Sequence, residues 1–229
     1  MYIFVVCVVV YKTYQHTTST DFTMRHFRKY LFSLVFAVTP YIACASSIVQ
    51  LDITELLQNS ELVFAGQVIS KESQWNANKT NIFTNITFQV DDVIVGRYPA
   101  NTLILRFVGG TVDQDKVTIE GSNVPSLDES GVYFVSSTSE YLVNPIVGWA
   151  QGHFLTQKDS SGTMRMMTQS QELISGVNLL QKKSNYLSEG VATGITHSTA
   201  TDISQAMNLD DFKEVLRQTA ASLTPNVEQ

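Results

Sequence analysis

Residues 82–95 read IFTNITFQVDDVIV, and their period is two. Ile82, Thr84, Ile86, Phe88 and Val90 fall on one side; Phe83, Asn85, Thr87 and Gln89 fall on the other. A helix repeats every 3.6 residues, so this spacing predicts one long, half-buried strand. A strand of this length needs partners, and the sequence offers them at short intervals. Residues 62–70 (LVFAGQVIS) precede it across a polar turn at 76–81. Residues 102–108 (TLILRFV) follow it across 96–100 (GRYPA) and stop at Gly109 and Gly110. Further candidate strands are 117–119, 131–136, 142–147, 152–157 and 163–168, the last two joined as a hairpin by the turn 159–162 (DSSG). Many short strands at this spacing point to an all-β barrel or sandwich. Gly66, inside the first apolar run, marks a bulge or bend of the kind that curls a strand.

Helical signals sit at the two ends of this β-rich stretch. Asp52 and Glu55 have the spacing of a capping box, and Ile53, Leu56 and Leu57 then share a face. The pattern changes after Thr168. Residues 171–180 predict a helical turn or two, and the Ser-, Thr- and Gly-rich chain up to 204 reads as a linker or loosely packed segment. Near the end, Asn208 can cap a helix whose stripe is Leu209, Phe212, Val215, Leu216, Ala220 and Leu223. Pro225 stops it. The expected division is therefore 46–168 for the β unit, 169–204 for the segment behind it, and 205–229 for the helix and tail.

Residues 1–45 read as a leader. Arg25, Arg28 and Lys29 form a basic region, residues 31–43 an apolar stretch, and Ala43-Cys44-Ala45 a small-residue cleavage site. These three parts, in that order, make a secretory signal peptide over 24–45. The apolar stretch is shorter than the roughly 20 residues that span a bilayer. Met24 stands just before the basic region, which makes 1–23 a mis-annotated extension; the alternative is an added apolar segment at 2–10. Cys44 also resembles the acylated cysteine of a lipoprotein box, but Tyr41 stands where that box has an aliphatic residue, so cleavage after Ala45 is preferred. The mature chain is then expected to be periplasmic or extracellular, with no transmembrane anchor.

Cleavage there would remove four of the 15 bases and one of the 21 acids. The remainder would carry about −9 instead of the whole chain's −6. Both cysteines, Cys7 and Cys44, lie in the leader. An acidic, cysteine-free mature chain excludes a disulfide scaffold and argues against nucleic acid as a partner.

The sequence contains no H-E-x-x-H, no Cys-x-x-Cys and no acidic calcium loop, so it calls for no metal and no cofactor. No serine sits in a G-x-S-x-G setting. His153, on a candidate strand, reads as structural, and His197 as solvated. Asp91 and Asp92 are neighbours on a strand and would point to opposite faces, which reads as an exposed strand end. Trp149 lies among Ile146, Val147 and Phe154 and reads as core. Trp75 beside the turn at 76–81 reads as a possible contact aromatic. Trp75 and Asn76, with Gly109 and Gly110, form the expected partner-binding rim, provided that loops 71–81 and 109–130 converge.

Residues 59–68 (NSELVFAGQV), 88–96 (FQVDDVIVG) and 131–135 (GVYFV) resemble, in order and spacing, the netrin-like OB barrel of tissue inhibitors of metalloproteinases. Residues 149–154 (WAQGHF) add a likeness to a family of secreted bacterial proteins. The resemblance implies an OB-like small barrel, here with a β-hairpin extension and a C-terminal helix. It also implies a non-catalytic protein-binding module that regulates or inhibits a secreted protease. The alternative is a structural or assembly component of the cell envelope or extracellular matrix. Those inhibitors grip a protease zinc with a disulfide-bonded N-terminal cysteine. The expected mature end here is Ser46-Ser47, so their grip has no counterpart.

Mass spectrometry of the exported protein is expected to find Ser46 as the first residue. A chain beginning at a lipid-modified Cys44 would overturn the cleavage site.

Overall fold

The computed structural model describes residues 48–183 and 186–223. Ala43, Cys44 and Ala45, with the whole expected leader, lie outside the described residues. The chain is mainly β, with one large antiparallel sheet and a C-terminal helix. Helix α1 (Ile53–Gln58) opens it, and its capping box closes in both directions: Glu55 N–H donates to Asp52 Oδ1 at 2.8 Å, and Asp52 N–H to Glu55 Oε2 at 2.9 Å. Strands β1 (Leu62–Trp75), β2 (Ile82–Val95) and β3 (Thr102–Val108) follow as a meander. A small ribbon, β4 (Gly110–Val112) and β5 (Asp115–Val117), leads into a long loop and then β6 (Ser130–Val135). Strands β7 (His153–Lys158) and β8 (Met164–Thr168) form the expected hairpin. A second ribbon, β9 (Ile174–Val177) and β10 (Ile195–His197), precedes helix α2 (Leu209–Leu223).

The large sheet runs β3-β2-β1-β6-β7-β8. Among the described residues no ladder joins β3 to β8, so the sheet curls without closing into a barrel. The hairpin β7–β8 belongs to this sheet and is not an appendage. At Gly66 the β1–β2 register jumps, with Ala65 opposite Asp92 and Gly66 opposite Val90. Asp91 is left out of the pairing, which corrects the regular strand end expected at Asp91-Asp92. A Cβ at Gly66 would collide with the Gln89 carbonyl, so the bend requires glycine there.

The start of β1, Leu62 to Gly66, and β6 from Gly131 to Val135 are buried on both faces, which explains their unbroken apolar runs. On one face Val63, Val132 and Phe134 pack against α1, α2 and the β9–β10 ribbon, through Leu56, Phe212, Leu216, Ile174 and Ile195. On the other, Phe64 and Tyr133 meet Phe88, Leu105 and Phe107 from the curled β2 and β3. Phe64, Phe88 and Tyr133 form an aromatic trio, with ring centroids 4.7 to 5.4 Å apart. Helix α2 is also tied by charge. Arg217 Nη2 donates to both Asp92 oxygens, at 2.8 and 2.9 Å, and Lys213 reaches the same carboxylate at 3.0 Å.

Several local expectations give way to tertiary structure. Residues 171–180 form β9, not a helix: Leu173, Ile174 and Val177 imitate helical spacing, but Ile174 is drawn into the core and Gly176 weakens any helix. The segment expected to be loosely packed supplies Ile174, Ala192 and Ile195 to the buried cluster. Residues 142–147 form no strand; one bridge joins Ile146 to Val135, Pro145 has no N–H, and Asn144 Oδ1 takes the Ile146 N–H at 2.9 Å. The candidate strand at 117–119 starts earlier, as β5. Trp149 is only half-buried, because it opens a 3-10 turn with φ +56°.

Phe88→Ala is expected to cost about 3–5 kcal/mol in urea unfolding. Ile69→Ala, at an exposed strand position, is expected to stay within about 0.5 kcal/mol of the parent.

Candidate functional site

The β1–β2 hairpin and the start of the loop at 109–130 meet at one end of the sheet. Trp75 pairs with Ile82, and Gly109 N–H donates to Ile82 O at 2.8 Å, so the three residues form the last row. Thr84 Oγ1 donates to Gly109 O at 2.6 Å and sits 2.9 Å from Ser73 Oγ. Gly110 lies directly over these two hydroxyls. A Cβ there would strike both, and its φ of +140° already favours glycine. The structure thus brings the four rim residues of the sequence together.

Their roles differ. Trp75 is half-buried at the end of β1. Asn76 is a brace: its Oδ1 accepts from the N–H of Thr80 at 2.8 Å and of Asn81 at 3.2 Å, and its Nδ2 donates to Thr80 Oγ1 at 2.8 Å. Gly109 is buried and both of its main-chain polar groups are engaged, so it closes the sheet and meets no partner directly.

Further side chains of the outer face lie one and three rows in, exposed at Gln74 and Glu72 and half-buried at the others. Gln74, Phe83 and Val108 form one row; Glu72, Asn85 and Arg106 form another. The Arg106 guanidinium carbon lies 3.6 Å from the centre of the Phe83 ring and 4.8 Å from that of Tyr141. Tyr141 is 82% exposed. Sequence reasoning missed this stack. Its signals were a base in the otherwise uncharged run 102–108, and a phenylalanine on the polar side of β2.

The far end of the 109–130 loop is held by a second group. His153 is 1% exposed, and its ring lies 5.0 Å from that of Tyr133. Asn123 Nδ2 donates to Gln169 Oε1 at 2.7 Å, and the Gln169 Nε2 lies 2.9 Å from His153 Nδ1. The Glu129 carboxylate can only accept, so His153 Nε2–H donates to its Oε1 at 2.6 Å, where the Tyr133 hydroxyl also donates at 3.2 Å. Ser126 N–H reaches Glu129 Oε2 at 3.2 Å, and Lys71 Nζ donates to Pro125 O at 2.9 Å. Burial pushes the Glu129 carboxyl up, but the hydrogen bond and pull of the His153 ring, then Ser126 and Tyr133, hold it below the usual glutamate range. Burial and the nearby carboxylate raise the Tyr133 hydroxyl far above its usual value. His153 is structural, as expected; Glu129, Gln169 and Asn123 carried no sequence signal, because they meet only in the folded chain. His197, expected to be solvated, lies 3.2 Å from Glu172.

Among the described residues no group of three or more His, Cys, Asp or Glu side chains could hold a metal. An open cleft of about 300 Å³ lies between α2 and the sheet, lined by Asp91, Asp92, Lys158 and Lys213. Asp92 and Lys213 are already bonded to each other there. No described helix is long and apolar enough to cross a membrane. The chain matches no protein-family model, no curated protein and no solved structure.

His153→Leu leaves the Glu129 carboxylate without its main donor and is expected to cost about 2–3 kcal/mol. The folded-state pKa of Glu129 is depressed, so its ionised form stabilises the fold above the ordinary value of 4.5, and this is lost as pH falls below it. Urea unfolding at about pH 6 is expected to show Glu129→Gln weaker than the parent, with the gap narrowing towards about pH 3.5.

Proposed function

We propose that this is a secreted, non-catalytic protein-binding module of the netrin-like OB type, acting as a regulator or inhibitor of a secreted protease. The observation that carries the reading is the immobilised end of the sheet. There a hairpin turn and a glycine pair are braced by internal hydrogen bonds, and the half-buried Phe83 and Arg106 stack on their strands below the exposed Tyr141 ring. Rigid aromatic and arginine side chains are the usual anchors of protein interfaces. A face that is already ordered loses little conformational entropy on binding.

The OB-type likeness is supported by the curled β1–β3 meander and by the bulge at Gly66, since strands that wrap a small core need such bends. Binding without turnover is supported by the sealed setting of the imidazole: His153 is 1% exposed, and both ring nitrogens lie within hydrogen-bond distance of protein side chains.

The test is capture on the immobilised protein from the exported fraction, followed by protease assays of the captured material. The parent is expected to retain an uncleaved partner whose protease activity falls in proportion to added protein. Trp75→Ala is expected to weaken retention about tenfold. Equal retention by Trp75→Ala, or a partner that emerges cleaved, would overturn the reading.

A further inference from the structure

The outer edge of β3 is open. Hydrogen-bonded and non-hydrogen-bonded pairs alternate along an antiparallel ladder. Gly109 N–H donates to Ile82 O, and Val90 N–H to Asn101 O, each at 2.8 Å. With Phe83 opposite Val108 and Gln89 opposite Thr102, these bonds set the parity. Leu103, Leu105 and Phe107 turn their main-chain groups to β2, whereas Thr102, Ile104, Arg106 and Val108 turn theirs outward. Val108 N–H is taken by Val143 O at 2.9 Å, and Thr102 O by the Tyr98 hydroxyl at 2.9 Å. Among the described residues, the N–H and C=O groups of Ile104 and Arg106 have no partner. Such an edge is a template for another strand. Ile104 is 61% exposed beside it.

The Arg106 side chain is unfinished too. Its guanidinium contacts the rings of Phe83 and Tyr141, yet its Nε is buried without an acceptor. It makes no ion pair among the described residues, although the chain has 21 acids against 15 bases. Cation–π stacking alone would satisfy a surface arginine, but it leaves that buried donor unmade. A planar fork ordered by aromatic rings suits a carboxylate brought from outside.

We propose that the β3 edge takes an extended segment of a partner protein as an added antiparallel strand, with an Asp or Glu of that segment on Arg106. The proposal rests on the protein-binding reading above and names its mode. Main-chain bonds at Ile104 and Arg106 set the register. The partner residue opposite Arg106 is acidic, and the residue two places later, opposite Ile104, is apolar and β-branched, since cross-strand neighbours select one another.

The test uses two octapeptides of alternating threonine and valine that differ only in one central glutamate or glutamine. Each is titrated into the isotope-labelled protein while backbone amides are followed by NMR. The Ile104 and Arg106 amides are expected to shift and to exchange more slowly, and the glutamate peptide to bind about fivefold more tightly. Arg106→Gln is expected to make the two peptides equal, and Tyr141→Ala to narrow their difference. Ile104→Pro removes an outward N–H without touching the β2 ladder and is expected to abolish both. Equal binding of the two peptides to the parent, or no response at Ile104 and Arg106, would overturn the proposal. Either result, with capture still weakened by Trp75→Ala, would reject the edge and leave the binding-module reading in place.

Discussion

The structure depends on two strand segments having no exposed face. Every side chain from Leu62 to Ala65 and from Val132 to Val135 is buried, so the start of β1 and all of β6 beyond Ser130 must be covered from both sides. One sheet cannot do this unless it bends or recruits other elements. This chain does both. The bulge at Gly66 curls β2 and β3 over one face, and the two helices with the β9–β10 ribbon cover the other. The two cores share a wall, which is why Phe64 and Val63, neighbours in sequence, belong to different clusters. Without α2 the surface of Val63, Phe134 and Phe154 would lie open, so the C-terminal helix is part of the fold's foundation.

The aromatic trio on the curled side passes the constraint outward. Tyr133 stacks near His153, and both donate to Glu129 at the root of the 109–130 loop. A buried imidazole, a half-buried carboxylate and a phenol satisfy one another there, as buried polar groups must. The loop is thus tethered by the core itself. Its other end is fixed by Gly109 and Gly110 against the β1–β2 hairpin. Rigidity at the sheet's end follows from packing deep inside it.

The two edges of the sheet are treated unequally. The β8 edge is covered: Met207 O accepts from Met166 N–H at 2.9 Å, and Leu173 and Asn208 bridge to the same strand. Among the described residues the β3 edge is capped only at its ends, by Val143 and Tyr98. Natural sheets blunt such edges with charge or cover. Here the charge is Arg106, in contact with two aromatic rings.

The sequence by itself determined the class. The period of two at 82–95, the unbroken runs at 62–65 and 132–135, the capping box at Asp52 and Glu55 and the stripe at 209–223 are local patterns, and local patterns survive as strands and helices. It named Trp75, Asn76, Gly109 and Gly110 as one rim only on condition that their loops converge, and the β3-β2-β1 meander is what brings them to one end. What it could not show was pairing at a distance. Residues 171–180 had a helical spacing, and only the core's hold on Ile174 made them a strand. The network of Glu129, His153 and Gln169 spans three separate stretches of chain. The open edge at Ile104 and Arg106 depends on ladder parity and on where Val143 and Tyr141 come to rest. Such features arise from which surfaces the fold leaves uncovered, and that is decided only when all the elements have packed.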